Sequence, residues 1–173
     1  GDPGMFRNVL LATLNHKGPV YIRMARGKDE PSVYQTEAPE FELGKAIVTV
    51  DGADATIIAC GVMVSEAVKA ARRLSQDGIG VRVLDMHTIK PLDEQAIINA
   101  ARETGRIVTV EDHYTIGGLG GAVAEVLAES GIPCKFKRLG IPQKYAGFGS
   151  PESLYRKYGY DVEGIVNAVR SMN

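Results

Sequence analysis

The sequence predicts a three-layer α/β fold of the Rossmann-like type, in which helices cover both faces of a mostly parallel sheet of about five strands with one antiparallel edge strand. Within residues 45–173, short β-branched runs alternate with helical stripes, and this alternation implies right-handed crossovers between parallel strands. Several helical stripes begin at a capping residue and stop at a glycine. With 173 residues, the chain has room for one such domain and a short appendage.

The first 44 residues follow a different pattern. An Asp-Pro pair at residues 2–3 suits the start of a helix that ends near residue 18, and residues 19–24 then alternate between apolar and polar side chains, as in a strand. Residues 27–44 are polar, contain two prolines and show neither period. We therefore expect a helix-and-strand tail at 1–26, an interdomain linker at 27–44 and the α/β domain at 45–173.

The α/β domain begins with two strand-like runs at residues 46–50 and 55–60. The Asp51-Gly52 pair between them is a hairpin signal, so we expect these two strands to pair with each other in antiparallel fashion. Three later strands are predicted at 81–84, 107–110 and 134–141, and helices are predicted to begin near residues 64, 93, 119, 150 and 161. The resulting order is β-β-α-β-α-β-α-β-α-α.

The composition argues against several classes of function. Lysine and arginine total 20 against 21 aspartate and glutamate, and neither sign forms a block, so we expect no nucleic-acid partner. No apolar run approaches the roughly 20 residues of a membrane span, and we expect neither membrane insertion nor a secretory signal. Cys60 and Cys134 stand apart in apolar segments, which favours free thiols in a reducing, cytoplasmic setting.

A glycine cluster at residues 117–121 follows a strand and begins a helix, where backbone amides can bind phosphate. The dinucleotide fingerprint also needs a small residue three positions after its second glycine, and Val123 stands there instead. Close packing of the helix against the sheet is therefore the favoured interpretation, with a phosphate site as the alternative.

His113 lies just beyond a strand, at the edge where open α/β sheets place their ligands. No Ser, Cys or second His stands at a spacing that completes a nucleophile–base pair, so we predict no catalytic residue in this chain. No pair of His or Cys residues has the spacing of metal ligands, and we predict no metal site. An interface or structural role for His113 is favoured over a role in binding a ligand.

Arg26 follows the predicted strand and precedes Gly27. A guanidinium in such a turn is suited to bidentate binding of a phosphate, whereas a solvated charge is the simpler interpretation. The residues alone favour the solvated charge.

Five strings together resemble the C-terminal domain of transketolases, in the family's order and spacing. They are FELGKA at 41–46, CGVMVSEA at 60–67, DMHTIKPLD at 85–93, EDHY at 111–114 and GGLG at 117–120. The superfamily also contains deoxyxylulose phosphate synthase and the β subunit of 2-oxoacid dehydrogenases, which remain alternatives. FGSPESL at 148–154 looks like transketolase, because the synthase usually has a His-Gly pair where Phe148-Gly149 stand here.

The resemblance implies a parent enzyme of the pentose phosphate pathway, in which thiamine diphosphate and magnesium support transfer of a two-carbon ketol unit between sugar phosphates. In that family, domains upstream of this one hold both groups. The resemblance therefore implies that this chain binds no cofactor and is inactive alone, with a structural role in dimerisation. Its partners would be the upstream transketolase domains or an N-terminal subunit, and a second copy of itself in a homo-oligomer.

The resemblance also gives the tail at residues 1–26 an origin. Residues 2–26 resemble the last helix and strand of the aminopyrimidine-binding domain, and Arg26 matches the family arginine that contacts the phosphate of the sugar substrate. Arg23 matches no position with an assigned role. The competing interpretation of the whole chain is a stand-alone regulatory module that binds a small ligand at the strand ends near His113.

Overall fold

The computed structural model describes residues 3–25, 33–34 and 39–172. Its elements are a 3-10 turn Pro3–Met5, α1 (Phe6–Thr13), β1 (Ile47–Val50), β2 (Ala55–Ala59), α2 (Met63–Gln76), β3 (Val81–Asp85), α3 (Glu94–Thr104), β4 (Arg106–Tyr114), α4 (Leu119–Ser130), β5 (Lys135–Ile141), α5 (Pro151–Tyr158) and α6 (Val162–Arg170). From β1 onward, this order is the one that the sequence predicts.

The five strands form one sheet in the order β1-β3-β2-β4-β5. β2 pairs in parallel with β3 and β4, β4 pairs in parallel with β5, and β1 pairs antiparallel with β3 at one edge. Two apolar clusters cover the sheet, with α2 and α6 on one face and α3 and α4 on the other. The predicted fold class, a three-layer α/β domain with one antiparallel edge strand, is confirmed.

The predicted hairpin between the first two strands is wrong, because β3 lies between β1 and β2. The connection from β1 to β2 instead crosses the start of β3, where the Asp54 amide donates to Gly80 O at 2.8 Å and the Gly80 amide donates to Asp54 Oδ2 at 2.6 Å. A Cβ on Gly52 would lie 2.5 Å from backbone atoms of Gly80 and Val81. Glycine is therefore needed at residue 52 for a close backbone crossing, which the sequence pattern cannot distinguish from a turn.

Side chains cap three helices at the predicted positions. Asp93 Oδ1 accepts a hydrogen bond from Ala96 N at 3.1 Å, Ser150 Oγ accepts from Ser153 N at 3.4 Å, and Asp161 Oδ1 accepts from Gly164 N at 3.0 Å. Each cap satisfies an amide that has no partner inside the helix, which explains why these helices begin where they do.

The N-terminal segment, residues 3–25, departs from prediction in its second half. Helix α1 forms, but residues 19–25 belong to no strand. Their alternating side chains suit a strand, yet a strand needs a neighbour for its backbone hydrogen bonds, and none pairs with them within the described ranges. Residues 26–32 and 35–38 lie outside the described residues, so the linker stays a prediction. None of the helices in the described part of the chain is long and apolar enough to span a bilayer.

Candidate functional site

A strand-end cleft of about 850 Å³ lies at the carboxyl ends of β2, β3 and β4. β3 and β4 flank β2 on opposite sides, and α2 and α3 pack on opposite faces of the sheet. The winding of the sheet therefore reverses at the end of β2, and such a reversal is where open α/β sheets bind ligands. Cys60 follows β2 at this point, His87 follows β3, and Glu111, Asp112 and His113 lie at the end of β4.

The N-terminal segment and the residues before β1 line the cleft from the other side. Arg23 Nη2 donates a hydrogen bond to Asp112 O at 3.1 Å, which joins the segment to the end of β4. Phe41 stacks on His87, with ring centroids 4.3 Å apart and planes inclined by 37°. The cleft thus has a polar base of strand ends and a wall in which apolar side chains such as Ile22 and Leu43 take part.

Glu111 is a site residue that the sequence reasoning missed. Its side chain is 1% exposed, and its two oxygens accept hydrogen bonds from Leu119 N and Gly120 N, each at 2.8 Å. A carboxylate at this place satisfies two amides at the start of α4 and complements the positive end of the helix dipole. An acidic residue at a strand end, eight positions before a glycine-rich helix start, was the available signal.

The glycine cluster is shaped around Glu111. A Cβ on Gly118 would lie 1.9 Å from Glu111 Oε2, and a Cβ on Gly120 would lie 2.8 Å from Thr109 Oγ1. Close packing is therefore the confirmed interpretation of this cluster. A diphosphate group does not fit here, because a carboxylate already bonds the amides that would receive it. No group of three His, Cys, Asp or Glu side chains in the described ranges is placed to hold a metal ion.

Asp112 is also bonded within the domain. Its carboxylate accepts hydrogen bonds from Tyr160 OH at 3.2 Å and from Tyr155 OH at 3.5 Å. Burial, and then the negative charge of Asp112, raise the pKa of Tyr160 above its ordinary value, so the phenol remains a donor through the neutral range. Both carboxylates at the end of β4 are thus committed to contacts that hold the domain together.

The candidate nucleophile and bases of the cleft do not form a catalytic pair. Burial, and then the charge of Glu111, raise the pKa of Cys60 to about 12, so the thiol stays protonated at neutral pH and is a poor nucleophile. Burial lowers the pKa of His87, whose Nδ1 lies 2.8 Å from Thr88 Oγ1. His113 Nδ1 lies 2.9 Å from Tyr114 O and 3.9 Å from Glu111 Oε2. No catalytic role follows from this geometry.

The two candidate residues from the sequence have different outcomes. His113 lies in the strand-end cleft, and its role at an interface or toward a ligand stays a prediction. Arg26 lies outside the described residues, so its contact with a phosphate stays a prediction too. Of the described cations, Arg23 and Lys90 line the cleft, and neither had been assigned a role from the sequence.

Comparisons with known proteins place these features in a family. Residues 44–165 match the model of the transketolase C-terminal domain. One of the two subunits of an apulose-4-phosphate transketolase from Phocaeicola vulgatus is 43% identical over 164 residues, which cover 95% of this chain and 52% of that protein. A 1-deoxy-D-xylulose-5-phosphate synthase from Heliobacterium modesticaldum is 36% identical over 171 residues, which cover 99% of this chain and 26% of the synthase.

A solved structure has the same fold over nearly the whole chain. It is described as a split-gene transketolase in an inactive beta4 tetramer, and it is 38% identical with a TM-score of 0.91, covering 99% of this chain and 55% of that one. The chain therefore spans about half the length of these two transketolase relatives.

Proposed function

Since the chain belongs to the transketolase C-terminal domain family, we propose that it forms the C-terminal part of a thiamine-diphosphate- and magnesium-dependent transferase that moves a two-carbon ketol unit between sugar phosphates. The observation that carries this proposal is the coverage: 95% of the chain aligns at 43% identity with only 52% of a transketolase subunit. The cofactor and its metal would be held by polypeptide that corresponds to the remainder of the enzyme.

The strand-end cleft supports a structural role for this part of the enzyme. Glu111 and Asp112 accept hydrogen bonds from the domain itself, and the Cys60 thiol is protonated at neutral pH because burial raises its pKa. None of these three groups is available as a base or nucleophile. We therefore expect the chain to support assembly and to be inactive without the upstream domains or an N-terminal subunit.

Self-association is part of the proposal. The split-gene transketolase that shares this fold is described as an inactive beta4 tetramer. By analogy, we expect this chain to form a homo-oligomer in a cytoplasmic setting, without ketol transfer. Light scattering coupled to gel filtration measures the mass of the particle directly, and a monomer at micromolar concentration would contradict this part.

Calorimetry with and without the missing polypeptide tests the main proposal. Thiamine diphosphate, magnesium and a pentose phosphate are titrated into the 173-residue chain alone and into the same chain mixed with an N-terminal transketolase subunit. We expect heat of binding and ketol transfer only in the mixture. Micromolar binding of the cofactor, or turnover, by the chain alone would overturn the proposal.

The cleft favours one second candidate, a stand-alone regulatory module. Its volume of about 850 Å³ is in the range of small-molecule sites. The same titration separates the two, because a regulatory module would bind the pentose phosphate without any partner. If the reconstituted enzyme instead forms 1-deoxy-D-xylulose 5-phosphate, the chain belongs with the synthases.

Arg26 provides a residue-level prediction. In the assembled enzyme, Arg26→Ala should raise the KM for the phosphorylated sugar about 10- to 100-fold, because a charge-assisted contact of roughly 1.5–3 kcal/mol is lost. Cofactor affinity should not change. Arg7→Ala is the matched control, since it removes an exposed positive charge from α1. An unchanged KM for the Arg26 variant would exclude this residue from the substrate site.

A further inference from the structure

Arg23 joins two parts of the chain that are far apart in sequence. Its guanidinium donates from Nη2 to the backbone carbonyl of Asp112 at 3.1 Å, across 89 positions. The charge of Arg23 also lowers the pKa of the Cys60 thiol, against the larger effect of burial, which places the guanidinium near the ends of both β2 and β4. The contact therefore ties residues 19–25 to the base of the strand-end cleft.

The acceptor of this hydrogen bond is firmly held. Asp112 lies in the part of β4 where the pairing with β5 shifts register, between Val110 and Tyr114. Its side chain is fixed by two tyrosines, Tyr155 and Tyr160, whose rings are 5.0 Å apart. Tyr160 is 1% exposed and packs in the cluster under α6. The carbonyl of Asp112 is thus a fixed point of the domain.

Side-chain burial holds the donor segment only weakly. Val20, Tyr21 and Met24 are all exposed, with 88% of Tyr21 accessible, and residues 19–25 form no strand. A segment with so little buried apolar surface gains a small amount of free energy from packing. A charge-assisted hydrogen bond from Arg23 is therefore a large share of what fixes its position.

We propose that Arg23 is a positioning residue for the substrate phosphate, because its bond to Asp112 fixes the backbone that leads to Arg26 three positions later. This inference rests on the proposed function, in which Arg26 contacts that phosphate. Arg23 itself is not expected to touch the substrate. Its effect is to keep residues 19–25 in one place relative to the sheet.

The first test uses the 173-residue chain. The ¹⁵N heteronuclear NOE of residues 20–25 reports backbone motion on the picosecond-to-nanosecond timescale. Arg23→Met, which keeps the apolar stem of the side chain, should lower these values to those of a free terminus. Arg23→Lys should restore them in part, and Arg7→Met, which removes a charge from the same segment without touching β4, should leave them unchanged.

The second test uses the assembled enzyme. Arg23→Met should raise the KM for a phosphorylated sugar about 3- to 10-fold, the effect of one hydrogen bond, with kcat and the KM for a non-phosphorylated ketose unchanged. Unchanged NOE values would refute the tie itself. Lower NOE values with an unchanged KM would refute the positioning role. A failure of Arg26→Ala to affect KM would instead refute the proposed function, and the NOE result distinguishes these cases.

Discussion

Helices α1 and α2 have similar amphipathic sequences but very different surroundings. Eight residues of α2 are buried, from Met63 to Leu74, and its apolar stripe packs on the sheet together with α6. Helix α1 buries none of its own residues and leaves Leu10 and Leu14 exposed. An apolar stripe thus specifies a helix, whereas the stability of that helix depends on whether its partner surface belongs to the same polypeptide.

Paired leucine substitutions test this contrast most strongly. Leu74 is 0% exposed, so Leu74→Ala should lower the free energy of unfolding by about 2–5 kcal/mol through lost burial and a cavity. Leu14 is 76% exposed, so Leu14→Ala should change it by less than about 0.5 kcal/mol. Urea denaturation of both variants measures the difference. Equal destabilisation would mean that α1 is part of the folded core of this chain.

The contact between Glu111 and α4 should have the next largest effect. Glu111→Ala leaves two buried amides without an acceptor, and we expect a loss of about 2–4 kcal/mol in urea denaturation. Glu129, which is exposed on the same helix, is the matched control, and Glu129→Ala should cost less than about 0.5 kcal/mol. If the two variants are equally stable, the carboxylate does not hold the start of α4.

A glycine pair tests the backbone crossing that replaces the predicted hairpin. Gly52→Ala would place a Cβ 2.5 Å from the backbone of Gly80 and Val81, and we expect a destabilisation of about 2 kcal/mol. A Cβ at Gly121 in α4 would meet no atom within 4 Å, so Gly121→Ala should stabilise the chain by about 0.5–1 kcal/mol. A neutral Gly52→Ala in thermal unfolding would contradict the close crossing.

The smallest effect should appear at alkaline pH. The folded state raises the pKa of Cys60 to about 12 from the ordinary value of 9.0, so the unfolded chain loses this proton first. The stabilisation is complete below pH 9 and decreases as the pH rises toward 12, by less than about 1.4 kcal/mol per pH unit. Cys60→Ser removes the titrating group and should reduce the slope of stability against pH between 9 and 11. An unchanged slope would assign the alkaline loss to other groups, such as Tyr160.

Local signals predicted much of the fold and little of the cleft. Asp93, Ser150 and Asp161 cap helices through amides three positions away, so their role can be predicted from spacing. Glu111 bonds amides eight and nine positions away, across a turn whose path depends on β4 and α4 packing together. The strand predicted at residues 19–24 has the right alternation, but its hydrogen bonds require a neighbour that the described residues do not provide.

From β1 onward, the amino-acid pattern alone specifies which residues form helices and strands, the parallel character of the sheet and the family of the chain. These properties depend on side-chain period, on caps and on short motifs, which are all local. The folded domain was needed to reveal that β3 inserts between β1 and β2, that Gly52 serves a backbone crossing, and that Arg23 meets Asp112. Each of these contacts joins residues that are distant in the chain, and the free energy of such contacts depends on the packing of the whole domain.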